Sequence, residues 1–259
     1  MQTVVVVPTY QEADNIVRFL TEVREAVPDA HILIVDDNSP DGTGHLADET
    51  AARLGNIRVL HRAAKQGLGS AYRNGFDVVL TGAEFPDQCD VVVSMDCDFS
   101  HDPRAIASLV ARVEAGADAV IGSRYVPGGS TVNWPLHRRL LSRWGNLYTS
   151  GILRLHVHDC TSGFRAYRAS ALRTIDPTST SAEGYAFLTE LVRRLVRNGF
   201  TVEESPIRFA DREAGSSKMS SRIISESMLL VTGWAAKDLW RTVRRQQPER
   251  RQGIAPNTP

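Results

Sequence analysis

The sequence predicts an α/β fold with a mostly parallel central sheet and helices on both faces. Two observations carry this. Short, wholly apolar runs such as Thr3–Val7 and Val91–Val93 lack the alternation of half-exposed strands, as strands buried on both faces do. Between them lie segments whose apolar residues recur every three or four positions, the spacing of amphipathic helices. A third feature concerns the strand ends. Acidic, basic and turn-forming residues follow directly after the apolar runs, where ligands bind in open parallel sheets.

Taken in order, Thr3–Val7 is the first strand and Glu12–Val27 the first helix, apolar at Ile16, Phe19, Leu20, Val23 and Val27. His31–Val35 is the second strand, ended by the turn cluster from Asp36 to Thr43, which can also cap the next helix. Ile57–Leu60 gives a third strand and Gly67–Val79 a helix. Val91–Val93 is the fourth strand, running into Asp96-Cys97-Asp98; Pro103 opens a helix, and Ala119–Ile121 makes the fifth strand. Pro8-Thr9-Tyr10, Asp36-Asp37, Asp96-Cys97-Asp98 and Gly122-Ser123-Arg124 then converge on one crevice. From Tyr125 the texture changes. A helix is predicted over Leu136–Leu155, an irregular segment over Cys160–Arg165, helices over Ser170–Ile175 and Tyr185–Arg197, a strand over Thr201–Phe209 and a last helix over Ser220–Arg245. This places one domain over 1–245, with a nucleotide half to about 125 and an acceptor half from about 126; the Pro- and Gln-containing tail from 246 to 259 is expected to be disordered.

The 259 residues carry 30 Lys+Arg and 30 Asp+Glu, yet the balance is a cancellation. Up to Leu136 there are 10 basic and 19 acidic residues; the remainder holds 20 and 11. Such asymmetry points to charged partners. Three cysteines without a C-x-x-C pair suggest neither a disulfide framework nor zinc; they read as packing residues in a reducing compartment. No basic region precedes the short N-terminal apolar run and no uncharged stretch reaches bilayer length, so a soluble or peripheral protein is expected.

Asp96 and Asp98 are the sharpest chemical feature. At i and i+2 on an extended segment both carboxylates point the same way, and two hard oxygen donors at a strand end suit Mg²⁺ or Mn²⁺ completed by substrate phosphates. Asp41 and Thr43 read as turn and cap residues. Asp37, at the strand terminus, can accept from a ribose hydroxyl or a base N–H. Pro8-Thr9-Tyr10-Gln11-Glu12 replaces the Gly-rich turn of a dinucleotide site, so a nucleotide must be held in another way.

Together with Lys65-Gln66-Gly67-Leu68-Gly69, Gly122-Ser123-Arg124-Tyr125, Thr161-Ser162-Gly163-Phe164-Arg165 and Asp211-Arg212-x-x-Gly215-x-Ser217-Lys218, these segments resemble, in order, the family-2 inverting glycosyltransferases of GT-A fold. Within them the chain is most similar to dolichyl- or polyprenyl-phosphate mannose synthases. The resemblance implies transfer of mannose from GDP-mannose to a polyprenyl phosphate with Mg²⁺ or Mn²⁺. It places Pro8, Tyr10, Glu12, Val35 and Asp37 around the guanosine, Asp96, Cys97 and Asp98 at the metal-diphosphate, and Arg124, Arg212 and Lys218 on phosphates. Ser100 stands where some relatives have a metal-binding Gln, and Leu188 where a Gln often lies.

A phosphate acceptor is already a nucleophile at neutral pH, so positioning and charge stabilisation can replace a tuned base. Arg138, Arg139 and Arg143 are the candidate cations for that acceptor, with Arg124 shared between donor and acceptor; a solvated helix face is the alternative. Residues 137 to 173 hold seven arginines and one acid, Asp159. The last helix reads as a core-packing element with a cationic end, or as a docking helix for an anionic membrane surface through its Trp residues. The expected partners are thus GDP-mannose, polyprenyl phosphate and a membrane surface or membrane-embedded subunit, with no nucleic acid, and the expected location is the cytoplasmic face of a membrane. Three rival readings remain: a UDP-glucose-dependent polyprenyl-phosphate glucosyltransferase, transfer to a saccharide hydroxyl with Glu190 or Asp159 as base, and a non-catalytic nucleotide-sugar-binding subunit.

Overall fold

The computed structural model describes residues 1–82, 85, 89–211 and 221–245, with side chains of the last helix described from 227 to 240. The chain divides into two compact units, Met1–Lys218 and Met219–Pro259. The first is built on a seven-stranded sheet of order β3-β2-β1-β4-β7-β5-β8. Strands β1 (Thr3–Thr9), β2 (His31–Asp36), β3 (Ile57–His61) and β4 (Val91–Ser94) run parallel. β5 (Ala119–Ser123) pairs in parallel with β8 (Val202–Pro206). Between β4 and β5 lies β7 (Arg165–Arg168), antiparallel to both. The fold predicted from sequence is therefore present, with one inserted strand. The irregular segment expected over Cys160–Arg165 ends in that strand, and the single strand expected over Thr201–Phe209 divides: β9 (Arg208–Phe209) leaves the sheet to pair with β6 (Ser130–Thr131).

The continuous apolar runs are explained by double-sided burial. Val5, Val7, Ile32, Ile34, Val91 and Val93 pack with Ile16, Phe19, Leu20 and Val23 of α1 (Ala13–Ala26) and with Ile106, Leu109 and Val113 of α4 (Ile106–Glu114). The alternate residues Val6, Leu33 and Val35 face α3 (Leu68–Thr81), which approaches so closely that a Cβ on Gly75 would meet Val6 Cγ1 at 2.6 Å. The remaining helices of this unit are α2 (Thr43–Leu54), α5 (Leu136–Leu153), α6 (Ala169–Ile175) and α7 (Gly184–Arg197). The second unit contains α8 (Ser221–Arg245), within a residue of its predicted start. No described helix is long and apolar enough to cross a membrane. The expected tail, 246–259, lies outside the described residues.

The strand order reverses between β1 and β4. Ligands of open α/β sheets bind in the crevice outside the carboxyl ends at such a switch point.

Candidate active site

The ends of β1 and β2 are fastened by the acidic turn. Asp36 is buried and accepts from Thr9 Oγ1 (3.0 Å), Ser39 Oγ (2.6 Å) and Ser39 N (3.0 Å). Asp41 and Thr43 cap α1: Thr43 Oγ1 accepts from Glu12 N at 2.9 Å and Asp41 Oδ2 from Ala13 N at 3.1 Å. Two adjacent aspartates thus have different tasks, and Asp37 is the one paired outward. Its carboxylate accepts from the buried guanidinium of Arg62, whose Nη2 also donates to Ser70 Oγ (2.6 Å) and Gln66 Oε1 (3.0 Å). Lys65 Nζ lies 3.8 Å from the Tyr10 ring centroid. Tyr10 and Asp37, both expected at the nucleotide, are thus linked to the Lys65–Gly69 segment, Tyr10 through Lys65 and Asp37 through Arg62 and Gln66. Val35, also expected at the guanosine, has its side chain wholly buried in the sheet.

Asp96 and Asp98 follow β4, but not with the extended geometry that spacing suggested. The ladder ends at Ser94, residues 97 to 100 bend, and Phe99 adopts a φ of 56°. Asp98 is placed instead by its own turn: Oδ1 accepts from Ser100 N (3.1 Å) and Ser100 Oγ (2.5 Å). Cys97, between the acids, is 2% exposed; burial, then Glu12, Asp98 and Asp96, push its thiol well above its ordinary value. Tyr72 senses the same field: burial, then Asp96 and Tyr167, raise its phenol, Arg165 opposes them and Asp98 adds to the rise.

The candidate donors here, the Asp96 and Asp98 carboxylates and the Ser100 hydroxyl, are all hard oxygens. Among the described residues no group of three or more His, Cys, Asp or Glu is assembled as a cage. That chemistry fits Mg²⁺ or Mn²⁺, which take further ligands from phosphates and water, and does not fit a structural zinc.

The Thr161–Arg165 segment closes the site from the β7 side. Ser94 Oγ donates to Gly163 O at 2.8 Å, and a Cβ on Gly163 would lie 3.4 Å from Asp96 Oδ2. Arg165 is wholly buried and donates to three carbonyls, Ser162 O (2.7 Å), Leu188 O (2.7 Å) and Cys160 O (2.6 Å). Leu188 faces the core, and its backbone rather than its side chain is what this loop uses.

Arg124, expected on phosphates, is paired with a protein carboxylate. Nε and Nη2 donate to the two Asp159 oxygens at 2.7 and 2.6 Å, Arg124 N to Oδ2 at 3.0 Å, and Nη2 to Thr161 Oγ1 at 2.8 Å. Burial, which alone would lower its pKa, is outweighed by Asp159, and the guanidinium is raised. For Asp159, burial is likewise outweighed by Arg124, so the carboxyl lies below its ordinary range. The pairing follows from desolvation: at 7% exposure a guanidinium requires a counter-charge within the fold.

Two of the predicted acceptor cations gather beside this pair. Arg143 shares the Tyr125 ring with Arg124, and Arg138 shares Trp134 with it, at 4.0 Å from the centroid. Arg138 also pairs with Asp211 at 3.0 Å. Arg139 is exposed on α5 without such a shared ring. Arg212 and Lys218 lie outside the described residues. Sequence reasoning missed Arg62, which no motif flags, and the structural task of Arg165, although its motif was noted. The three cysteines are buried and unpaired with one another; burial pushes Cys89 and Cys160 each up to about 12.

Residues 4–176 match the family described as glycosyl transferase family 2. The chain is 46% identical over 237 residues to polyprenol monophosphomannose synthase of Mycolicibacterium smegmatis, covering 91% of this chain and 88% of the relative. It is 43% identical over 244 residues to undecaprenyl-phosphate mannosyltransferase of Micrococcus luteus, covering 94% and 98%. Among solved structures, glucosyl-3-phosphoglycerate synthase of Mycobacterium tuberculosis, in complex with Mn²⁺, UDP-glucose and phosphoglyceric acid, superposes with a TM-score of 0.65 at 18% identity. That match covers 90% of this chain and 80% of the other. The architecture is GT-A, and the chain belongs to glycosyl transferase family 2.

Proposed function

We propose that this glycosyltransferase moves mannose from GDP-mannose to a polyprenyl phosphate, with inversion, releasing GDP. One observation carries the reading beyond the kinship with the two mannosyl-transferring relatives. The two carboxylates considered above as a base for transfer to a saccharide hydroxyl are both paired with an arginine. Asp159 is locked onto Arg124, and Glu190 accepts from Arg194 at 2.7 and 3.1 Å. An acceptor that brings its own anionic oxygen has no need of either.

In this reading an acceptor phosphate oxygen attacks the anomeric carbon as the bond from that carbon to the GDP diphosphate oxygen breaks, and the electron pair leaves with GDP. Tyr10, Asp37 and Glu12 hold the nucleoside, and Asp37 is oriented by Arg62. Asp96 and Asp98 would hold Mg²⁺ or Mn²⁺, and such an ion would supply positive charge to the departing diphosphate; the Mn²⁺ complex of the solved fold relative is in keeping with this. Arg138, Arg139 and Arg143 receive the acceptor phosphate, and Arg212 and Lys218 are assigned to donor phosphates. Arg124 acts behind them as a positioning residue. Bringing two phosphates together costs repulsion, which charge-assisted hydrogen bonds of roughly 1.5–3 kcal/mol each offset. The partner surface is a membrane, at its cytoplasmic face.

The test uses purified protein, Mg²⁺ or Mn²⁺, a short polyprenyl phosphate and radiolabelled GDP-mannose or UDP-glucose. Labelled lipid from GDP-mannose is expected; label only from UDP-glucose would establish the glucosyl rival, and none from either would leave a binding subunit.

A further inference from the structure

Both glycines of Lys65-Gln66-Gly67-Leu68-Gly69 make room for a distant part of the chain. Gly67 has a φ of 96°, and a Cβ there would meet Glu183 Oε2 at 2.8 Å. On Gly69 a Cβ would meet Ala182 O at 2.8 Å and Glu183 Oε2 at 2.9 Å. The loop is bare at both positions because residues 182 and 183, at the entrance of α7, rest on it. Helix α3 begins here without a cap of its own, since Gly67 stands at the capping position. Glu183 supplies the missing acceptor. Its Oε2 accepts from Ser70 N at 3.3 Å, and the helix dipole favours a carboxylate at that end. Arg73, one turn further on, holds the carboxylate in place by donating to Glu183 Oε1 and, at 3.0 Å, to Ala182 O.

We propose that Glu183 is a positioning residue for the donor nucleotide, acting on Asp37 through Ser70 and Arg62. Ser70 is the junction. Its amide donates to Glu183, while its hydroxyl accepts from Arg62 Nη2 at 2.6 Å, and Nη1 of the same guanidinium donates to Asp37. Gln66 Oε1 accepts from Arg62 Nη2 (3.0 Å) and from Ser70 Oγ (3.3 Å), so the loop closes around the arginine. Its near end carries Lys65, whose ammonium lies over the Tyr10 ring. Support of the fold is a poor account of Glu183, for its side chain is 47% exposed and ion pairs of that exposure contribute little to stability. What the carboxylate fixes is the geometry of the loop. The inference rests on the nucleotide-sugar reading given above and extends it: Glu183 belongs to the half expected to serve the acceptor, so donor affinity depends on a residue outside the nucleotide half.

The test titrates the full chain with GDP and with UDP in the presence of Mg²⁺, and records Tm. It compares wild type with Glu183→Ala, Glu183→Gln, Arg62→Ala and the double variant Arg62→Ala with Glu183→Ala. For the nucleotide that wild type binds more tightly, Glu183→Ala should raise Kd about tenfold with Tm nearly unchanged. Glu183→Gln, whose amide oxygen can still accept from Ser70 N, should recover part of the loss. In the Arg62→Ala background the alanine substitution at Glu183 should change Kd about twofold or less, because the route to Asp37 is already cut. A residue that merely supports the fold would instead lower Tm and add its full effect in both backgrounds. An unchanged Kd in Glu183→Ala, or effects that add in the double variant, would overturn the proposal, as would a wild type that binds neither nucleotide. Should the nucleotide bind with this dependence while no mannose is transferred from GDP-mannose, the mannosyl reading fails and the positioning role stands.

Discussion

Arg124 and Asp159 form a two-pronged ion pair that is almost wholly withdrawn from water, Asp159 being 0% exposed. The pair ties the end of β5 to the loop that precedes β7. Removing one partner leaves the other charge buried, so Asp159→Asn should cost about 3–5 kcal/mol in urea denaturation. The sign of the pH effect follows from the lowered Asp159 pKa. Its contribution is complete above the unfolded value of about 3.9 and is lost as pH falls below it through the native pKa. The stability difference between wild type and Asp159→Asn should therefore be constant near neutrality and shrink on acidification below about pH 4. A difference that shrinks instead as pH rises from 5 to 8 would contradict the pairing.

Arg62 holds Asp37, the residue proposed to meet the nucleoside, and is itself oriented by Ser70 and Gln66. Losing a charge-assisted bond of roughly 1.5–3 kcal/mol should raise the donor KM about ten- to a hundredfold in Arg62→Ala. Acceptor KM should be unchanged, and Arg62→Lys should restore only part of the loss because an ammonium lacks the fork. Equal changes in both KM values, together with a lower Tm, would mean that the pair merely supports the fold.

The strands readable in sequence are those whose burial leaves a compositional mark. β1 and β4 are runs of valine because both their faces are covered. β7 reads Arg-Ala-Tyr-Arg and carries no such mark; it becomes a strand because the ladders of β4 and β5 both take it up, and because Arg165 finds three carbonyls inside. The site shows the same division. Asp37 and the Asp96–Asp98 pair could be placed by their position after strands, whereas Arg62 reaches Asp37 from 25 residues away, a relation only the parallel register of β2 and β3 creates.

Asp96 and Asp98 should be separable from the fold. Asp98→Asn keeps a group able to accept from Ser100 but removes the charge that a divalent cation and a departing diphosphate require. A drop in kcat of about 10²–10³-fold or more is expected, with Tm nearly unchanged. Chelation of divalent ions in wild type should reproduce the loss, and added Mn²⁺ or Mg²⁺ should reverse it. Full activity in chelator would remove the metal from the reading.

Arg138 and Arg139 are neighbours with different surroundings. Arg138 is held by Asp211 and lies over Trp134, whereas Arg139 is exposed. Replacing both by Ala should chiefly raise the acceptor KM, and raising ionic strength should weaken acceptor binding in wild type more than in the variant. If the double variant weakens only GDP-mannose, the acceptor phosphate is bound elsewhere.

Gly75 and Gly145 offer a paired test of the packing beneath the site. Each lies within a helix, where Ala is favoured over Gly by about 1 kcal/mol. At Gly145 a Cβ meets nothing within 4 Å, so Gly145→Ala should stabilise by up to that amount. At Gly75 the new methyl would lie 2.6 Å from Val6 Cγ1 and 3.0 Å from Val35 Cγ2. Both neighbours belong to buried strands whose opposite faces are packed against α1, so they cannot yield without moving the sheet. Overpacking of this kind costs typically 1–3 kcal/mol beyond any gain in propensity. Gly75→Ala should therefore be destabilising in urea titration with an unchanged slope, the reverse of Gly145→Ala. Because Val35 precedes Asp36 and Asp37, the same variant should also raise the donor KM, whereas Gly145→Ala should leave it alone.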